Sequence, residues 1–255
     1  KTKMKKKNND LSYLEHLEEL RYRIIFCLIF FFIVLIIAFL NSKTIVAIFE
    51  KPITNLNLKL HFLKPYEKFV GYFNISLFIS FLITLPILFI QIMLFIYPAL
   101  IGKEKIIFWF FVILMPIFFV SSFIFSYWVL LPICYNFLLN FSKDDGIIPV
   151  ISFLSHINMI ITILLGTTLL FQFPFVLIIL ISLEIIKIDF LKKIRSYIIV
   201  FIFIIAAIVT PPDVISQIIL AIPLYLLFEF TIIIGSIINK IKESVWKEEN
   251  LSKKH

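Results

Sequence analysis

The chain has 255 residues, of which 61% are apolar and 16% charged, with a formal net charge of +8. Soluble domains lie nearer half apolar and a quarter charged, so an ordinary soluble domain is excluded. The Lys and Arg residues gather between apolar runs and at both ends of the sequence, a placement that argues against nucleic acid as the partner.

The amino-terminal segment is basic (Lys1, Lys3, Lys5, Lys6, Lys7), but the next apolar run begins only at Ile24. No small-residue cleavage site follows that run, so it is expected to be a retained span rather than a signal peptide. Within residues 1–23, Leu14, Leu17 and Leu20 recur at helical spacing and predict an inner amphipathic segment.

A membrane span needs about 20 apolar residues. Six are predicted, at about 24–40, 69–101, 106–131, 153–183, 197–210 and 214–238, followed by an inner tail, 239–255. The second would be about 50 Å long, too short for two crossings, so one helix carrying Pro86 is expected. Pro116 and Pro174 lie inside the third and fourth. Pro211-Pro212-Asp213 divides the last apolar stretch, because consecutive prolines favour a reversal. The fifth span, about 21 Å of helix, is roughly 9 Å shorter than the ~30 Å hydrocarbon core. It must thin the membrane or leave the 210–213 turn sunk in it.

The expected fold class is therefore an all-α polytopic membrane protein, a single transmembrane domain with both termini on one side. With the termini inside, the inner segments hold 18 Lys or Arg and the outer ones 6, an excess that fits the positive-inside rule. Ile45, Ile48 and Phe49 in the first outer loop, just before Pro52, predict a helix lying flat on the outer leaflet. Lys143-Asp144-Asp145-Gly146 in the second is a turn signal.

Chemistry is sought among polar groups near the spans, where water cannot satisfy them. The first group runs from Glu15 to Arg23. In one reading Arg21 and Arg23 are membrane anchors and the Glu residues their solvated partners. In the other, Glu19 pairs across the inner face with Glu104, which stands between Lys103 and Lys105, and two carboxylates there suit a guanidinium fork. Gln172 falls near the midplane and should face the interior or a polar partner. Asp213 either simply caps the last span or forms, with Thr210 and Gln217, a sunk polar cluster open to a partner helix. Glu229, near the inner interface, should reach headgroups or an Arg. Trp128, Tyr97 and Tyr127 fit an interfacial belt.

No HExxH, GxSxG, Walker loop or paired intramembrane aspartates occur, so no catalytic role is expected. Cys27 and Cys134 fit buried small side chains. The four histidines make no i,i+4 pair, and neither a metal nor a cofactor is expected. Two further classes remain conceivable on these residues: a secondary transporter, which would need several ionisable groups at the midplane, and an assembly factor whose charges only set topology.

The same residues resemble the TatC family. His16-Leu17-Glu18-Glu19-Leu20-Arg21 is similar to its amino-terminal signature. Leu85-Pro86, Gln91, Phe95 through Leu100 and Lys103-Glu104 are similar to its second span and inner loop. Thr210 through Gln217, then Leu220 to Pro223 and Phe228-Glu229, resemble its sixth-span region. The resemblance implies a six-span, glove-like concave fold. It also implies a core receptor and translocase that moves folded proteins carrying twin-arginine signal peptides, driven by the proton-motive force. It assigns Glu19, Arg21, Phe95 and Glu104 to signal-peptide binding. Thr210 and Gln217 would dock TatA-like and TatB-like single-span partners, and Pro52, Gln172, Asp213 and Glu229 would be functionally sensitive. Other TatC copies and membrane lipids complete the implied partners. The implied membrane is a bacterial inner membrane, thylakoid or mitochondrial inner membrane. Many relatives carry Glu near the place of Gln172, which cannot ionise.

Overall fold

Apolar runs this long must satisfy their backbone internally once water is excluded, and helices do so within one segment. In the computed structural model the backbone is described for residues 2–54, 60–99, 104–141 and 150–252, and side chains for 17–51, 60–98, 108–109, 112–141 and 150–239. Nine α-helices occur among these residues: α1 (Thr2–Leu40), α2 (Ser42–Thr54), α3 (Glu67–Ile96), α4 (Glu104–Phe125), α5 (Leu131–Phe141), α6 (Phe153–Ser182), α7 (Ile188–Lys193), α8 (Arg195–Val209) and α9 (Val214–Ser252). Five stretches are long and apolar enough to cross a membrane: Leu17–Leu40, Glu67–Ile96, Val112–Phe141, Phe153–Ser182 and Val214–Asn239. The shorter apolar α8 is about 22 Å long.

The third of these stretches continues past 131, the end expected for that span, to Phe141. A π-turn at Ser126–Leu130 joins α4 to α5, and the Leu131 N–H bonds Ser126 O. Pro132 has no N–H to contribute, so widening the turn just before it sacrifices little of the ladder.

Two short strands, β1 (Leu60–His61) and β2 (Ile151–Ser152), pair in parallel and tie the segment before α3 to the segment before α6. They mark one end of the molecule, here the β end. Beside them the buried Glu67 carboxylate, in the first turn of α3, accepts from Leu63 N–H at 3.2 Å and Ser152 hydroxyl at 2.9 Å. An acid in a helix's first turn complements the dipole; here it also locks two loops.

α6 is the central element. It packs against α3, α4, α8 and α9, and Ile157, Ile160, Ile163, Leu164, Phe171 and Phe175 along it are buried. α1 packs mainly on α3 and leaves Ile25, Phe32 and Ile36 exposed, as expected of a lipid-facing helix. α2 differs from its expected position. Its Val46 and Phe49 are buried, with Phe49 edge-on to Phe78, Phe123 and Tyr127. Tyr127 O–H also donates to Ile48 O. The apolar face of α2 is occupied by protein, because the aromatics of α3 and α4 offer a closer fit than a leaflet surface does.

Close approach of the Val209 side chain to the α6 backbone fixes the end of α8. A Cβ on Gly166 would lie 2.7 Å from both Val209 methyls, so only glycine admits the end of α8 there. Gly166 lies about 20 Å along α6 from its start at Phe153. The α8–α9 turn is thus seated part-way down α6 rather than level with its end.

Candidate functional site

At the end opposite the strands, α1 and α3 run side by side. Glu19 and Arg23 are one helical turn apart on α1, the spacing that brings an acid and a base together. Arg23 Nη2 and Nε donate to Glu19 Oε1 at 2.6 and 3.1 Å, and Nη1 donates to Gln91 Oε1 on α3 at 2.7 Å. Both ionic side chains are partly screened, 37% exposed for Glu19 and 23% for Arg23. The guanidinium fork is thus divided between a carboxylate on its own helix and an amide on the neighbour.

Phe95 lies one turn beyond Gln91 on α3 and is half-buried. The Arg21 guanidinium lies over the Tyr22 ring, 5.4 Å from its centroid. Glu104 begins α4, but its side chain lies outside the described residues, as do Lys103 and the side chain of Lys105. So does the side chain of Pro52, within α2. Among the four residues singled out at this end, Glu19 stands at the α1–α3 seam, and Phe95 lies on α3 one turn beyond Gln91. Arg23 carries the geometry at the seam; the sequence reading had it as an anchor partnered by the Glu residues, and the pair with Glu19 is present. Its four-residue offset from Glu19 was the available signal.

The second group sits at the α8–α9 turn. Asp213 is buried and caps α9: Oδ2 accepts Ser216 N–H at 2.7 Å, and Ser216 hydroxyl donates to Oδ1. Thr210 is buried and its hydroxyl donates to Ala206 O at 2.8 Å. Gln217 Nε2 donates to Phe203 O on α8 at 2.8 Å. Turn, cap and cross-helix bond together clamp α8 to α9.

Gln172 is 1% exposed, and neither atom of its amide has a hydrogen-bond partner among the described residues. It faces the interior, as expected, yet without a polar partner there. Glu229 accepts from Arg195 Nη2 at 3.1 Å and from Tyr225 O–H at 3.1 Å. The expectation that it reaches an Arg is thus realised within the chain. Sequence reasoning also missed a buried pair, Tyr135 O–H and His156 Nδ1, 2.5 Å apart. Among the described residues no group of three or more His, Cys, Asp or Glu is placed to hold a metal.

Comparison with known proteins accords with this arrangement. The sequence model of the family described as Sec-independent protein translocase protein (TatC) matches residues 15–223. The Sec-independent protein translocase protein TatC of Rickettsia prowazekii is 36% identical over 234 residues, 89% of this chain and 93% of that protein. The Aquifex aeolicus protein of the same description is 34% identical over 236 residues, covering 91% and 98%. The crystal structure described as the twin arginine translocase receptor TatC in DDM superposes with a TM-score of 0.75. It is 34% identical and covers 86% of this chain and 99% of that one.

Proposed function

The chain belongs to the TatC family of Sec-independent protein translocase subunits, and from that premise we propose that its α1–α3 seam receives twin-arginine signal peptides. It is an integral, multi-pass membrane protein of protein transport. The receptor role draws on the solved relative, which is itself described as a twin arginine translocase receptor. The observation that carries it is the grip of Arg23 on Glu19. A carboxylate on this seam already holds a guanidinium, the group an Arg-Arg signal presents.

Arg23 holds Glu19 through Nε and Nη2 and Gln91 through Nη1. An incoming guanidinium competes with Arg23 for Glu19 and leaves Arg23 on Gln91. Glu104, at the start of α4, supplies the second carboxylate, while Phe95 and Arg21 border the same surface. Lysine would bind less well, since a point charge cannot match the two-oxygen face of a carboxylate.

The remaining assignments belong to the same proposal. α8 counts as a sixth, short span, which puts both termini on the cytoplasmic, stromal or matrix side. The turn bearing Thr210 and Gln217 docks TatA-like and TatB-like helices. Folded passengers cross in an assembly with other TatC copies, driven by the proton-motive force without catalysis by this chain. Pro52, Gln172, Asp213 and Glu229 tune that assembly.

The test is photo-crosslinking of an Arg-Arg signal peptide to the membrane-embedded chain. Crosslinking is expected to fall about tenfold or more in Glu19→Ala/Glu104→Ala, and to be weak for a Lys-Lys peptide in the unaltered chain. Undiminished crosslinking in the double variant would refute the receptor site. Complementation of a TatC-deficient bacterium, read with a twin-arginine reporter, tests transport itself.

A further inference from the structure

Between α6, α8 and α9, towards the end opposite the strands, lies an open-sided crevice, about 600 Å³ with its open side included, lined by Leu177, Ile198, Ile202, Leu224, Phe228 and neighbours, apolar throughout. Its α8 wall continues a single helix face: Arg195, Ile198, Ile202 and Ile205 follow one another at intervals of three and four. That face therefore leads from the crevice directly to Arg195. On the α9 side, Phe228 is adjacent to Glu229 and one turn from Leu224 and Tyr225. The polar trio Arg195, Glu229 and Tyr225 stands at the mouth.

We propose that this crevice holds one acyl chain of an anionic phospholipid, whose phosphate rests on Arg195. The uniformly apolar lining suits a hydrocarbon chain, which has no backbone polar groups to satisfy there. Charge selects the headgroup. Lys187, Lys192, Lys193 and Arg195 are exposed on and beside α7, which packs against α8 and α9, against Glu184, Asp189 and Glu229. Asp189 is 3.9 Å from Lys192. Glu229 takes one donor from Arg195, and a guanidinium carries five. The site is separate from the α1–α3 seam and does not depend on signal-peptide binding.

Native mass spectrometry of the full chain in detergent, with equal phosphatidylglycerol and phosphatidylcholine, tests the site. One retained phospholipid is expected, with phosphatidylglycerol preferred about fivefold, the order of one basic side chain's effect near an anionic headgroup. Arg195→Gln should keep a bound lipid but reduce that preference to about one. Ile202→Trp, or Leu177→Phe if the first variant does not fold, should lose the lipid by filling the crevice. Equal retention of the two lipids by the unaltered chain would overturn the proposal. So would undiminished retention in a folded crevice-filling variant.

Discussion

Arg23 on α1 donates a 2.7 Å hydrogen bond to Gln91 on α3, 68 positions away in sequence, while holding Glu19 one turn back on its own helix. One guanidinium thus ties two membrane-spanning helices together and occupies the carboxylate proposed to read incoming arginines. A partly exposed ion pair contributes about 0.2–1 kcal/mol. An internal occupant of that strength can be displaced.

Arg23→Gln should therefore raise the apparent affinity for an Arg-Arg signal peptide, by up to about fivefold. Crosslinking yield against peptide concentration measures it. A decrease instead would mean that Arg23 positions Glu19 rather than competing for it.

Gly166→Ala should destabilise the protein by about 1–3 kcal/mol through overpacking, since its new methyl would meet the Val209 side chain at 2.7 Å. Adding Val209→Ala should recover most of the loss. Thermal unfolding of both variants in detergent gives the comparison, and equal loss in the double variant would show that the clash lies elsewhere.

Asp213→Ala should lower stability by about 1 kcal/mol, the ordinary worth of a helix cap. Asp213→Asn should recover much of it, because its amide oxygen can still accept from Ser216 N–H. Indistinguishable melting of the Ala and Asn variants would remove the capping role.

Gln172→Leu should raise the melting temperature by a few degrees. The amide of Gln172 is buried without a partner, and an unsatisfied polar group costs about 1–3 kcal/mol, or roughly 2–4 °C per kcal/mol for a chain of this size. Circular dichroism melts check it. An unchanged or lower melting temperature would mean that the amide is satisfied in the membrane, for example by a partner helix. Transport by the same variant shows whether the amide also serves function.

The long spans were legible because hydropathy reports directly on which backbone must be helical. The 210–217 region was legible as a capped turn at Pro211-Pro212-Asp213, and its depth followed from the length of α8. The Gly166–Val209 contact was not, since a single glycine within an apolar run carries no mark of what approaches it. Nor was the bond from Gln217 to Phe203 O, whose acceptor is a backbone carbonyl that any residue would offer. α2 was misplaced for a related reason. A helix face bearing Val46 and Phe49 is written the same way whether lipid or protein covers it. At the candidate site, Glu19 and Phe95 were singled out from motif, whereas the Arg23–Gln91 bond requires knowing that α1 and α3 are neighbours.

The central place of α6 bears on biosynthesis. α1 can settle on α3 as soon as both have left the ribosome, but α4 finds its principal partner, and α3 its second, only in α6, which begins at residue 153. Until then the amino-terminal half waits in the bilayer with one side of its helices unmatched. The last two helices then close onto α6 from the opposite flank. Assembly therefore turns on a single mid-chain insertion event, and a chain interrupted before α6 presents that unmatched side to the quality-control machinery of the membrane.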